Sequence, residues 1–108
     1  MFILEAELFD MKDTKQYDEP ANLLKALAHP VRLCIVRGLM RKKKCNVSFM
    51  QDCLGLPQST VSQHLQKLRS AGIVTTERSG LEVNYILADE RITQMVTILL
   101  GEEECEHE

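Results

Sequence analysis

Ser59, Thr60, Ser62 and Gln63 stand close together and carry hydroxyl or amide groups that donate and accept hydrogen bonds without charge. That chemistry suits reading base edges, because the donor and acceptor pattern of the major groove distinguishes every base pair. Gln58, His64 and Lys67 lie among them with groups suited to phosphate or positioning contacts. His64 follows Val61 by three residues and equally suits packing between helices. The second reactive set is the thiols Cys34, Cys45, Cys53 and Cys105, which include no CxxC pair. With no export signal visible, structural disulfides are not expected. No nucleophile–base pair, glycine-rich phosphate loop or paired carboxylate marks an enzyme, and no cofactor is expected.

The elements that must hold these groups follow from periodicity. Val61, Leu65 and Leu68 recur at helical spacing, so the stretch from Gln58 forms a helix with its core face opposite its polar face. Gly55-Leu56-Pro57 breaks the chain before it, and Phe49, Met50, Cys53 and Leu54 form an earlier helix with Ser48 placed as its N-cap. Two helices joined by a glycine-containing turn make a helix-turn-helix, whose second helix enters the major groove. After Gly72, the β-branched arms 73–78 and 81–86 flank Ser79-Gly80 and predict a β-hairpin with a two-residue turn. This is a wing, with Arg78 as its DNA contact and Glu82 opposing it electrostatically.

Upstream, 13–19 reads as a connector, Pro20 opens a helix, and Leu23, Leu24 and Leu27 form its buried stripe. His29-Pro30 starts a central helix that runs to about Arg41, with Val31, Ile35 and Leu39 facing inward. Arg41 to Lys44 closes it with positive charge that complements the helix dipole. Phe2, Ala6 and Phe9 suggest a first helix over 1–11, and Ile92, Met95, Val96, Leu99 and Leu100 a last one from near Asp89 to about Gly101. Pairing of these two across a twofold axis gives a homodimer matched to a palindromic operator in double-stranded DNA.

A chain of 108 residues holds one domain with a modest core. We divide 1–108 into an N-terminal dimerisation helix and connector (1–19), a winged core (20–91), and a dimerisation helix with an acidic tail (92–108). The fold class is mainly α with a β-hairpin wing (α+β), a winged helix-turn-helix of about five helices. Net charge is −3, which argues against a nucleic-acid partner until its distribution is considered. Acidic residues crowd the two ends, whereas between positions 37 and 78 eight cations face only Asp52 and Glu77. A charge run often marks only a solvated face, but beside the polar helix it favours DNA. No apolar run is long enough for a membrane span and no basic leader opens the chain, so a cytoplasmic location without membrane contact is expected.

Leu24-Lys25-Ala26-Leu27-Ala28-His29-Pro30-Val31-Arg32-Leu33 and Pro57-Gln58-Ser59-Thr60-Val61-Ser62-Gln63-His64-Leu65 resemble the ArsR/SmtB (arsenic-repressor) family of winged-helix regulators, over about 21–100. The resemblance implies a homodimeric DNA-binding repressor that leaves its operator when an effector binds. The family's CxC metal site maps to Asn46 and Ser48, and its last-helix site to Asp89, Arg91, Glu102 and Cys105. Neither set is intact, since arginine does not ligate a metal here, and no metal site is expected. Relatives that sense persulfides or oxidants use one cysteine on the central helix and one on the last. The resemblance therefore implies a thiol switch at Cys34 and Cys105, with Cys34 one helical turn from the usual place. Cys45 and Cys53 stand where the family has leucine and are expected as small buried hydrophobes. The alternatives are a metal or arsenite response through Cys105 and His107, DNA binding without any effector, and a protein-interaction module that has lost DNA binding.

Overall fold

A computed structural model describes residues 5, 8, 9 and 13–101. The expected helix over 1–11 falls largely outside them, as do Cys105 and His107. After a 3-10 turn at Thr14–Tyr17 the chain forms α1 (Asp18–Leu27), α2 (Pro30–Lys42), β1 (Lys44–Cys45), α3 (Val47–Leu54), α4 (Gln58–Ser70), β2 (Val74–Ser79), β3 (Glu82–Leu87) and α5 (Glu90–Leu100). The fold class is therefore that of a winged helix-turn-helix, with five α-helices among the described residues.

α1 begins at Asp18, so the expected connector is shorter than 13–19. Asp18 and Glu19 occupy its first turn, where carboxylates favour the positive end of the helix. Pro20 still falls in that turn, where its missing amide hydrogen leaves no bond unmade. The buried side is Leu23, Ala26 and Leu27, while Leu24 turns outward and is 53% exposed. A short surface helix buries one stripe, and position 24 lies about 100° around the axis from position 23, off that stripe.

His29 caps α2, its Nδ1 accepting from the Val31 amide at 3.1 Å. Ile35, Val36 and Leu39 enter the core. The helix stops because Lys43 takes φ 78°, ψ −45° and turns the chain into β1. This strand is additional to the expected hairpin. It pairs antiparallel with β3, Lys44 opposite Ile86 and Cys45 opposite Tyr85, giving a three-stranded sheet in the order β1-β3-β2.

Two local expectations are corrected. The N-cap of α3 is Asn46, whose Oδ1 accepts from the Phe49 amide at 2.8 Å, and Ser48 already lies within the helix. The hairpin loop is Gly80-Leu81 rather than Ser79-Gly80, because Ser79 pairs with Glu82. Gly80 has φ 65°, the positive value that a two-residue hairpin loop requires at its first position.

α4 ends in paired backbone bonds, Ile73 N–H to Leu68 C=O at 2.9 Å and Gly72 N–H to Arg69 C=O at 3.0 Å. That is the Schellman arrangement, which needs the left-handed backbone of Gly72 (φ 79°) and brings Ile73 against Leu68. Both are fully buried, alongside Val36, Val61, Leu65, Ile92 and Val96 where α2, α4 and α5 converge. Beyond Val96 the apolar character of α5 continues into solvent, with Ile98, Leu99 and Leu100 82%, 66% and 45% exposed. Among the described residues no helix is long and apolar enough to cross a membrane.

Candidate nucleic-acid interface

The turn into α4 is fixed by Gly55, whose left-handed backbone (φ 67°) ends α3. Pro57 follows, and its carbonyl accepts from the amides of Thr60 and Val61, both at 3.1 Å. Among the described residues no side-chain hydrogen bond caps the start of α4, whose first amides lack an intrahelical partner. Val61, Leu65 and Leu68 anchor one side completely in the core. The opposite side presents Gln58, Ser59, Ser62, Gln63 and Lys67 to solvent, with Thr60 half-buried between them. The anchoring sets the direction of this face, since rotating α4 would expose its apolar stripe.

His64 stands at the border and is half-buried. Its Nδ1 accepts from Arg32 Nε at 3.2 Å, and its ring lies 4.4 Å from that of His29. Burial, then the neighbouring His29 and Arg32, push its pKa below the ordinary histidine value. The imidazole is thus held neutral, which the bond from Arg32 also requires. Arg32 donates in addition to the Ala26 carbonyl at 3.1 Å, so this one guanidinium ties α1, α2 and α4 together. Sequence reading missed this role for Arg32. Its two partners lie on two other elements, and no local spacing signals them.

On the wing, Arg78 is exposed and paired across the hairpin with Val83. Glu82 does not stand free: its carboxylate accepts from Asn46 Nδ2 at 2.6 Å, tying the wing to the start of α3. Glu77 lies 4.0 Å from Lys44 Nζ, with both side chains more than half exposed. Such a pair is worth about 0–1 kcal/mol.

The thiols do not sort as expected. Cys45 is buried, but Cys53 is exposed, as is Cys34, and all three line one cleft between α2 and α3. Cys53 occupies a flank of α3 that faces this cleft rather than the core. Between α1 and the start of α5, Arg91 reaches Asp89 at 2.7 and 3.0 Å and Glu19 at 3.4 Å. Its hydrogen bonds hold the Asp89 carboxyl below the ordinary range, and Asp89 in turn caps α5 by accepting from the Arg91 amide at 2.9 Å. A guanidinium therefore sits on the carboxylate that the family resemblance would assign to a metal.

A helix-turn-helix domain family matches residues 27–77. The chain is 49% identical over 79 residues to the HTH-type transcriptional repressor SmtB of Mycobacterium tuberculosis, covering 73% of this chain and 58% of that one. It thus spans less than two thirds of the length of that relative. It is 42% identical over 82 residues to the transcriptional repressor PagR of Bacillus anthracis, covering 76% of this chain and 82% of that one. The crystal structure of PagR superposes with a TM-score of 0.74 at 39% identity, covering 81% of this chain and 99% of the other. A solution structure from Mycobacterium bovis, described as a homodimeric winged helix-turn-helix DNA-binding domain, superposes with a TM-score of 0.75 at 25% identity, covering 93% and 97%.

Proposed function

Because the chain belongs to the ArsR/SmtB family of winged-helix regulators, we propose that it is a homodimeric transcriptional repressor that reads a palindromic site in double-stranded DNA. The observation that carries this reading is the exposed, uncharged hydrogen-bonding face of α4, held outward by a fully buried apolar stripe. Ser59, Thr60, Ser62 and Gln63 contact base edges, while Gln58 and Lys67 meet phosphates beside the uncapped helix start. Arg78 extends the contact from the wing. His64 positions α4 through Arg32 and, at the border of the face, adds at most a positioning contact.

The dimer forms through the outer face of α5, where Ile98, Leu99 and Leu100 leave an apolar surface uncovered. The similarity to a homodimeric domain from Mycobacterium bovis supports the same assembly here. The segments 1–19 and 92–108 then serve pairing, and 20–91 serves DNA. Release by persulfide or oxidant chemistry at Cys34 and Cys105 is the finer part of the reading. A Cys34→Ser, Cys105→Ser chain that still leaves DNA on treatment with polysulfide overturns that part alone.

The test of the main reading is selection from a random duplex pool followed by fluorescence anisotropy across a salt series. An inverted repeat should emerge, with log K falling linearly in log salt by about 0.9 per phosphate neutralised. Retention of no duplex at low salt overturns it and leaves the protein-interaction reading.

A further inference from the structure

The cleft between α2 and α3 takes no part in DNA reading, yet it has a volume of about 360 Å³. Ile35, Leu39, Met50 and Leu54 make its walls apolar. Lys42 and Phe49 also line it, with Lys42 Nζ over the Phe49 ring, 4.6 Å from the centroid. Gly38 lines it from the middle of α2, where glycine costs about 0.5–1 kcal/mol relative to alanine. A Cβ on Gly38 would meet nothing within 4 Å, so packing within the protein does not explain the glycine. Its effect is to keep the cleft open.

The three thiols differ. Cys45 is buried, its Sγ donates to the Asn46 carbonyl at 3.4 Å, and desolvation pushes its pKa up, so it stays an inert thiol. Cys34 and Cys53 are exposed and face the same space from opposite elements. Among the described residues no three His, Cys, Asp or Glu side chains are grouped to hold a metal ion, so the cleft is not built as a metal site.

We propose that this cleft binds a small apolar α,β-unsaturated carbonyl compound, an enal or enone, which lies against Gly38 and is captured by the thiol of Cys34 or Cys53. The thiolate sulfur attacks the β-carbon and a C–S bond forms. The π electrons of the C=C bond pass to the carbonyl oxygen as an enolate. A proton returned to the α-carbon completes the net addition of S–H across the double bond, with no oxidant or reductant. Lys42 lines the same cleft and supplies a positive charge for the enolate that develops there.

An adduct in the cleft presses on α3, which packs against α4. This coupling rests on the DNA-binding reading. The site itself does not.

The full chain is treated with trans-2-hexenal and followed by intact and peptide mass spectrometry. One adduct per chain should form at Cys34 or Cys53, at a rate that saturates with hexenal concentration because binding precedes attack. A Gly38→Leu chain, with both thiols retained and the helix favoured, should label at least about tenfold more slowly once the bound geometry is lost. Cys34→Ser, Cys53→Ser should abolish the saturable phase. A rate linear in hexenal, labelling of Cys105 as fast as the cleft thiols, or an unchanged rate in Gly38→Leu overturns the site. In a parallel arm, the labelled chain should bind its selected duplex about 5–150-fold more weakly. Unchanged affinity overturns the coupling. An unlabelled chain that binds no duplex overturns the DNA reading, while the labelling kinetics still decide the cleft.

Discussion

Gln63 and His64 are neighbours on α4 and do opposite things. Gln63 is exposed, with an amide that can pair bidentately with adenine. Gln63→Ala should cost about 1–3 kcal/mol on the selected site and little on a scrambled duplex, measured by anisotropy at one salt concentration. Equal loss on both would make it a backbone contact. His64 instead serves stability through its neutral form. Its folded pKa lies below the free value of 6.5, so the unfolded chain takes up the proton first as pH falls. Its contribution is therefore whole above pH 6.5 and is lost on descending through the folded pKa. Urea unfolding measured downward from pH 6.5 should show this loss in the native chain. A His64→Gln chain should show a flatter profile over the same window, and identical slopes would remove His64 from the account.

Between α2 and β1 the chain turns on one residue, Lys43, at φ 78°. A side chain in that region is strained by about 1–3 kcal/mol, and glycine relieves it at the expense of unfolded-state entropy of about 0.4–1 kcal/mol. Lys43→Gly should therefore raise the urea midpoint without changing the slope of the transition, a net gain of up to about 2.5 kcal/mol. A lower midpoint would mean that the lysine stem packs more usefully than its backbone strains. The same junction marks how far sequence could be read. The helix-turn-helix was legible because Val61, Leu65, Leu68 and the Gly55 turn are local signals. β1 was not, because a two-residue strand exists only through its pairing with β3. The pairing of Cys45 with Tyr85 in turn sets where α3 starts, and so made Asn46 rather than Ser48 the cap. Gly80 fits either slot of a two-residue turn, and only the register of Ser79 with Glu82 chose between them. The thiol cleft left no mark at all in the sequence, since Cys34, Cys45 and Cys53 meet only across two elements.

On the proposed reading, a molecule of net charge −3 must concentrate its cations locally to bind DNA, and the two reading faces of a dimer must be held at a fixed separation. Leu99→Glu places a charge in the exposed apolar face of α5 and should shift the chain to monomer in analytical ultracentrifugation, with loss of the selected duplex but an unchanged circular dichroism spectrum. A dimer that survives this substitution would move the interface elsewhere. Within each subunit, however, another distance is already set. The Schellman turn at Gly72 seats Ile73 beneath Leu68, so the end of α4 and the root of the wing share one buried joint. Helix and hairpin make a caliper whose two jaws are joined at that one buried point. On the proposed reading, a duplex whose groove spacing does not suit that gauge must itself bend, and the stiffness of the flanking base steps becomes part of what this protein recognises.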